Sequence, residues 1–546
     1  MNRVREHFAQ LSNAFGIYFL LFMAVSQMIL KGVVYNLCTS SLLPLYKSEL
    51  GVDASQLQFY MLIIMVPWSI KPLIGLVSDL SQIFGYHKKP WLYVSVCSAV
   101  LCSCFTFVAF LTRSPLGIAL CYMGIQFQVA TFDLMTEATY SAIMRDNPQI
   151  GTSGVTLVQG YQHMGGIIAM IFVGTLAQNR LYNVIFSIIL VCCIAPIVPV
   201  LLKWLPEERY PEGEPVLGNN PNWRMRLGAV VQVKAPPSSS KSMIAVIAFV
   251  GIAAPITAIV VNAGDPLIGL SVALLFTVVA LVASYHVFPE RMIMRIALYQ
   301  VLIALSRPAI GGALDFFYMA TPDCLPDGPH FTYAYYLTYA GIVGTVASFV
   351  VTLLYEPTLA KLNFRTVLLL TTVLSSLIGS SDLFIVTRTN IALGIPDSVA
   401  YMVGESVFEP LLNMMYYIPA SALLSKVVPK GMESSSFAFQ AGITNFAYMV
   451  SELSGGIIFR LGGIKTTMPG CNFDNLWWLV LGCHVLLPLV VSIPAAWLIP
   501  NIPQTADMRT NSETEDGPLI KEGEEFHLSE VDESDDREDV LGGAEL

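Results

Sequence analysis

Apolar runs of about 20 residues recur along almost the whole chain, from Ile17 to Ile499, each long enough to cross the hydrocarbon core of a bilayer as a helix. Backbone in hydrocarbon has to satisfy its own N–H and C=O groups, so such runs fold as helices or closed barrels. The period-two alternation of a barrel strand is missing. With 55% hydrophobic and 12% charged residues, a soluble fold of this sequence would be poorly solvated. The chain reads as an all-α polytopic membrane protein.

The runs divide into about fourteen transmembrane helices arranged as six, two and six. Residues 1–16 form a short N-terminal segment, 17–203 a six-helix bundle, 204–242 a linker, 243–288 two additional helices, 289–500 a second six-helix bundle, and 501–546 a tail. The linker is rich in Pro, Gly, Asn and Ser, as expected of a flexible connection. Lys and Arg concentrate in the loops on the side of the N-terminus, which puts both termini in the cytosol. The first apolar run is too long for a cleaved signal and lacks a small-residue cleavage site, so it is expected to remain as the first span. The net charge of −10 belongs to the tail, where residues 504–546 carry fifteen Asp or Glu against three Lys or Arg. Its run EVDESDDRED has no apolar periodicity and reads as a solvated cytosolic segment, and Glu515 with Leu519 and Ile520 fits a site for a sorting adaptor.

Charges inside the spans are costly unless paired or facing water, so each asks for a reason. Asp133 with Glu137, and Glu405 with Glu409, are carboxylate pairs four residues apart, on one helical face in each case. They occupy the fourth helix of each six-helix unit, and paired functional positions in two halves fit a secondary transporter. Eight of the ten cysteines lie within spans, as small apolar residues. Cys324 and Cys471 fall in polar loops on the non-cytosolic side and are expected to form a disulfide.

Residues 47–91, KSELGVDASQLQFYMLIIMVPWSIKPLIGLVSDLSQIFGYHKKPW, resemble the folate-biopterin transporter family, a branch of the major facilitator superfamily. Lys71, Pro72, Leu73, Gly75, Ser78 and Asp79 carry the core of the likeness, followed by Gly85, Tyr86, Lys88 and Lys89. A second match, KVVPKGMESSSFAFQAGITN, rests on Pro429, Gly431, Glu433, Phe437 and Ala438. The resemblance implies a major facilitator-type fold and a folate, biopterin or related pteridine as substrate. Relatives are also associated with S-adenosylmethionine, so cargo does not follow from fold.

In that fold the first and fourth helices of each half line the cavity, which nominates Lys31, Asp133, Glu137, Arg307, Asp315, Glu405 and Glu409, with Lys71 from the second helix. Arg307 or the lysines would bind carboxylates, and a carboxylate would accept from heterocycle N–H groups. A buried carboxylate is also a candidate proton carrier, which makes proton coupling an expectation. The alternative is that Lys71 and Asp133 form a structural pair. Gly75, Asp79, Lys88 and Lys89 are expected to act in conformational change, and Glu433 as a gate or helix start. His163 is either a relay or a packing residue. A Walker A sequence, a nucleophile elbow and metal-ligand spacing are missing, so an ATP-driven pump or an enzyme is disfavoured, and no cofactor, metal or nucleic-acid partner is expected beyond substrate, proton and membrane lipid. A membrane receptor or scaffold signalling through the tail is the competing class. The membrane is plasma or endolysosomal.

Overall fold

A computed structural model describes residues 11–146, 151–207, 231–233, 241–288, 291–427, 433–468 and 470–504. These are nearly all helical. In chain order the long segments are α1 (Ile17–Glu49), α2 (Ala54–Ser69 continued by Lys71–Leu80), α3 (Lys89–Leu111), α4 (Pro115–Asp146), α5 (Gly151–Gln178), α6 (Tyr182–Leu201), α7 (Lys241–Ala263) and α8 (Pro266–Val287). They continue with α9 (Arg291–Leu305 and Gly311–Tyr318), α10 (Ala334–Tyr355), α11 (Phe364–Val386), α12 (397–427), α13 (Glu433–Leu461) and α14 (Leu476–Leu498). Among the described residues, 10 helices are long and apolar enough to cross a membrane.

Local chemistry sets several ends. Asp53 caps α2 by accepting from the Gln56 N–H at 3.0 Å, and Asp265 caps α8 by accepting from Leu267 N–H at 2.9 Å. Prolines at the first turns of α3 and α8 lack the N–H that a helix start leaves idle. In α2, Pro67 and Pro72 flank a break at Ile70, so Lys71 opens the second segment.

Two expectations need correction. The run 293–318 is not one continuous helix: α9 stops at Leu305 and resumes at Gly311. Hydropathy could not see the break, because Ser306–Ile310 keeps its backbone satisfied by tertiary partners. Ser451 donates to Arg307 O at 2.5 Å, Ala309 N–H donates to Ser451 O at 3.1 Å, and Gln58 donates to Ala309 O at 2.5 Å. Gly455 of α13 lies against Ala309, so close that a Cβ would collide with its carbonyl. The linker 204–242 is not wholly irregular either. Its Val231–Val233 pairs antiparallel with Ser81–Ile83, with Ser81 opposite Val233, so a short two-stranded sheet interrupts the all-α pattern.

The first six segments and α9–α14 meet along two seams. At one, α2 faces α13: Asn445 donates to Trp68 O at 2.9 Å and Gln58 to Glu452 at 2.9 Å. At the other, glycines let α5 and α10 approach closely, with Gly166 against Thr345, Gly174 against Tyr333 and Thr338, and Gly341 against Met170. The α7 and α8 pair packs beside α2 and α13, where Asn262 donates to Phe59 O at 3.1 Å and Gly251 abuts Leu73. Outward positions such as Leu101, Phe105, Leu275, Val278, Leu354 and Val490 are exposed and apolar, the surface a lipid-facing protein needs.

Candidate functional site

Lys31, Lys71, Asp133 and Glu137 converge. Lys31 lies in the π-helical stretch Ala24–Val34 of α1, a widened turn of the kind common at functional positions. Asp133 of α4 is almost fully buried, and both its oxygens are used. Oδ1 accepts from Lys31 at 2.9 Å and Gln27 at 3.0 Å, and Oδ2 accepts from Lys71. Glu137, one turn further, stands 3.5 Å from Lys71 and keeps 30% of its side chain exposed. Two cations thus face two anions, the arrangement that makes buried charge tolerable. Lys71 also sits 4.6 Å from the centre of the Trp68 ring, whose N–H donates to Gln126 at 3.1 Å.

Arg307 occupies the break in α9. Its Nη2 makes a long contact of 3.5 Å to Thr372 O, and its buried Nε has no hydrogen-bond partner in the protein. Glu409, Tyr299, Tyr416 and Tyr448 lie within electrostatic reach of the guanidinium. Glu409 is exposed and accepts from Asn413 at 2.7 Å. Glu405 lies in the π-helical turn Met402–Phe408 and lines a cavity between the two halves.

The remaining nominated residues lie elsewhere. Lys88 donates to Thr139 at 2.9 Å, and the backbone N–H groups of His87, Lys88 and Lys89 all donate to Glu207, which thereby caps the start of α3. These described partners come from α4 of the first half and from the start of the linker. Gly75 is half-buried in the second segment of α2. The side chains of Asp79 and Glu433 lie outside the described residues, as do Pro429, Gly431, Glu515, Leu519 and Ile520. Cys324 and Cys471 are joined as a disulfide with a Cα separation of 5.4 Å, tying the loop after α9 to the one before α14.

Asp382, buried, and Glu452, half-buried, are acids that stand outside the carboxylate pairs. Asp382 of α11 accepts from Tyr318 and is bonded to His484 Nδ1 at 3.0 Å. Asp315, nominated from the sequence, accepts from Tyr336 at 2.5 Å. Glu452 accepts from Gln58 across the α2 and α13 seam. Asp382 and Glu452 are each a lone acid within an apolar run, in SSDLF and VSELSGG, with no partner at helical spacing to mark it. Lys47, Ser48 and Glu49 close α1 at a further contact between the halves. Lys47 donates to Met319 O at 2.7 Å, and the hydroxyls of Ser48 and Tyr333 meet at 2.5 Å, so the halves are tied at that end.

Probable folate-biopterin transporter 6 of Arabidopsis thaliana is 24% identical over 474 residues, 85% of this chain and 79% of the relative. Folate-biopterin transporter of Synechocystis sp. is 24% identical over 476 residues, 86% of this chain and 80% of the relative. Both are named for transport rather than catalysis. In fold, the chain is similar to an auto inhibited POT family peptide transporter, at 11% identity and a TM-score of 0.59 over 89% of this chain and 98% of that one. Long apolar helices, buried charges within them and this similarity of fold describe an integral membrane protein. The BT1 family profile matches residues 31–517, nearly the whole chain, and the chain belongs to the BT1 family.

Proposed function

We propose that this chain is a secondary active transporter for a folate- or pteridine-type small molecule, working by alternating access between two six-helix bundles around a site near the bilayer midplane. The observation that carries this reading is Arg307, whose buried Nε is left without a partner at a helix break, together with the cluster of Lys31, Lys71, Asp133 and Glu137 in the first half. A guanidinium with a buried, unpaired N–H is costly, and a planar fork suits a substrate carboxylate. The names of the Arabidopsis and Synechocystis relatives support the cargo class.

In this reading α1–α6 and α9–α14 are the two bundles and α7–α8 an added pair, giving fourteen spans with both termini in the cytosol. Arg307 anchors an anionic group of the substrate. Asp133, saturated by Lys31 and Lys71, holds the first half together, while Glu137 is the freer carboxylate and carries a coupling proton. Gly75, Asp79, Lys88, Lys89 and Glu433 serve the conformational change. The plasma membrane is the location this reading favours, with the endolysosomal membrane as the alternative if the acidic tail engages a sorting adaptor.

The test is uptake of labelled folic acid by proteoliposomes containing the full chain, with and without an inward proton gradient, in competition with unlabelled folate, biopterin and S-adenosylmethionine. Gradient-stimulated uptake blocked by folate and biopterin is expected. Competition by S-adenosylmethionine alone would overturn the cargo, and uptake indifferent to the gradient would overturn the coupling.

A further inference from the structure

A cavity of about 340 Å³ lies between the halves, within the size range of small-molecule sites. Gln162 and His163 of α5 line one wall, and Tyr336 of α10 with Tyr401, Glu405 and Ser406 of α12 line the other. Three buried polar atoms here have no hydrogen-bond partner in the protein: Gln162 Oε1, His163 Nε2 and Ser406 Oγ. His163 and Ser406 are only 7% and 4% exposed, so bulk water does not serve them from the surface. Buried polar groups are nearly always paired, and three unpaired ones around a single cavity mark a surface built for a polar occupant. The His163 ring is set by Phe349, which meets it edge-on at 6.4 Å, so His163 is held in place without a hydrogen bond.

The lining also specifies what the occupant is. Gln162 Oε1 and the Glu405 carboxyl accept, the Ser406 hydroxyl does either, and His163 Nε2 accepts or donates according to tautomer. Tyr336 and Tyr401, 5.2 Å apart, supply aromatic faces. A flat ring system with adjacent N–H donors and ring acceptors fits such a wall, whereas a dicarboxylate does not. Asp133 does not compete for those N–H groups, because Lys31, Gln27 and Lys71 occupy it. Glu405 and Glu409 stand four residues apart on α12, about 6 Å along an ideal helix axis, and Glu409 is the acid facing Arg307. The acid that lines the cavity and the acid that faces the guanidinium are therefore about one turn apart on α12.

We propose that this cavity is the subsite for the planar, N–H-bearing heterocycle of the cargo, read by Gln162, His163, Glu405 and Ser406, while Arg307 takes the carboxylate end. The proposal rests on the pteridine reading above and divides that substrate into two separately held parts. His163 thereby becomes a specificity residue rather than a packing residue.

The test uses the purified full-length protein and two probes that each carry one half of the chemistry: biopterin, which has the heterocycle and no carboxylate, and p-aminobenzoylglutamate, which has carboxylates and no pteridine. Binding is measured by calorimetry for wild type, Gln162→Ala, His163→Ala and Ser406→Ala, each first checked for a wild-type gel-filtration profile and melting temperature. Loss of a buried hydrogen bond to the ring is expected to weaken biopterin about tenfold in the Gln162 and His163 variants and leave p-aminobenzoylglutamate within about twofold. If either of these variants does not fold, Ser406→Ala, which removes only an oxygen, carries the comparison. Unchanged biopterin affinity across the folded variants, or equal losses for both probes, overturns the subsite. A wild-type protein that binds neither probe overturns instead the pteridine reading beneath it.

Discussion

Asp133 is the residue whose removal has the most predictable cost. It is shared by two ammonium groups whose side chains are 4% and 13% exposed, so neither recovers hydration when the carboxylate goes. Glu137, 3.5 Å from Lys71, offsets one of them. Asp133→Leu therefore leaves one buried cation unmatched, which costs about 3–5 kcal/mol. Lys71→Met costs less, about 1.5–3 kcal/mol, since Asp133 keeps Lys31 at 2.9 Å and Gln27 at 3.0 Å. The double variant leaves Lys31 and Glu137, one charge of each sign. It is expected to be more stable than Asp133→Leu alone, with a coupling of about 2–3 kcal/mol. The assay is unfolding of the purified protein in mixed micelles for wild type, the two single variants and the double. Strictly additive losses would refute the reasoning, because they would mean that Lys71 and Asp133 do not compensate each other.

Other outcomes follow from the same contacts. Arg307→Ala should lower folate uptake at least about tenfold while sparing biopterin binding, because only folate offers a carboxylate to a bidentate anchor; Arg307→Lys should rescue little, and calorimetry with both compounds checks the split. Cys324→Ser with Cys471→Ser opens a link between positions 147 residues apart and should cost about 2–5 kcal/mol, seen as a lower melting temperature than wild type under non-reducing conditions and none under reducing ones. Gly455→Val pushes a side chain into Ala309 O at the α9 break, so it should destabilise by about 1–3 kcal/mol and displace Arg307, with loss of both stability and folate binding.

Much of the architecture was legible from residue types alone. Long apolar runs name helices because hydrocarbon leaves the backbone few alternatives. Asp133 was legible because a carboxylate one turn from another in an apolar stretch is too costly to be idle. The break in α9 was not, since Ser306–Ile310 is held by Ser451, Gln58 and Gly455 from distant parts of the chain. For the same reason the meeting of Lys31 with Lys71 at one carboxylate, and of His163 with Glu405 around one cavity, depends on tertiary packing that local pattern does not encode. Asp382 and Glu452 were visible but carried no spacing signal, and their partners Tyr318, His484 and Gln58 lie far away in sequence.

The central claim, that two bundles move against each other around a site between them, is tested most directly at the end where they are tied. The Ser48 and Tyr333 hydroxyls meet at 2.5 Å across that contact, which makes the pair a place to lock. Folate uptake is measured in proteoliposomes carrying Ser48→Cys with Tyr333→Cys, before cross-linking, after cross-linking and after reduction, beside wild type treated identically. Alternating access predicts that the cross-link stops uptake and reduction restores it, with wild type unaffected by either step. Full uptake through a protein whose cross-link is demonstrably complete would contradict the account.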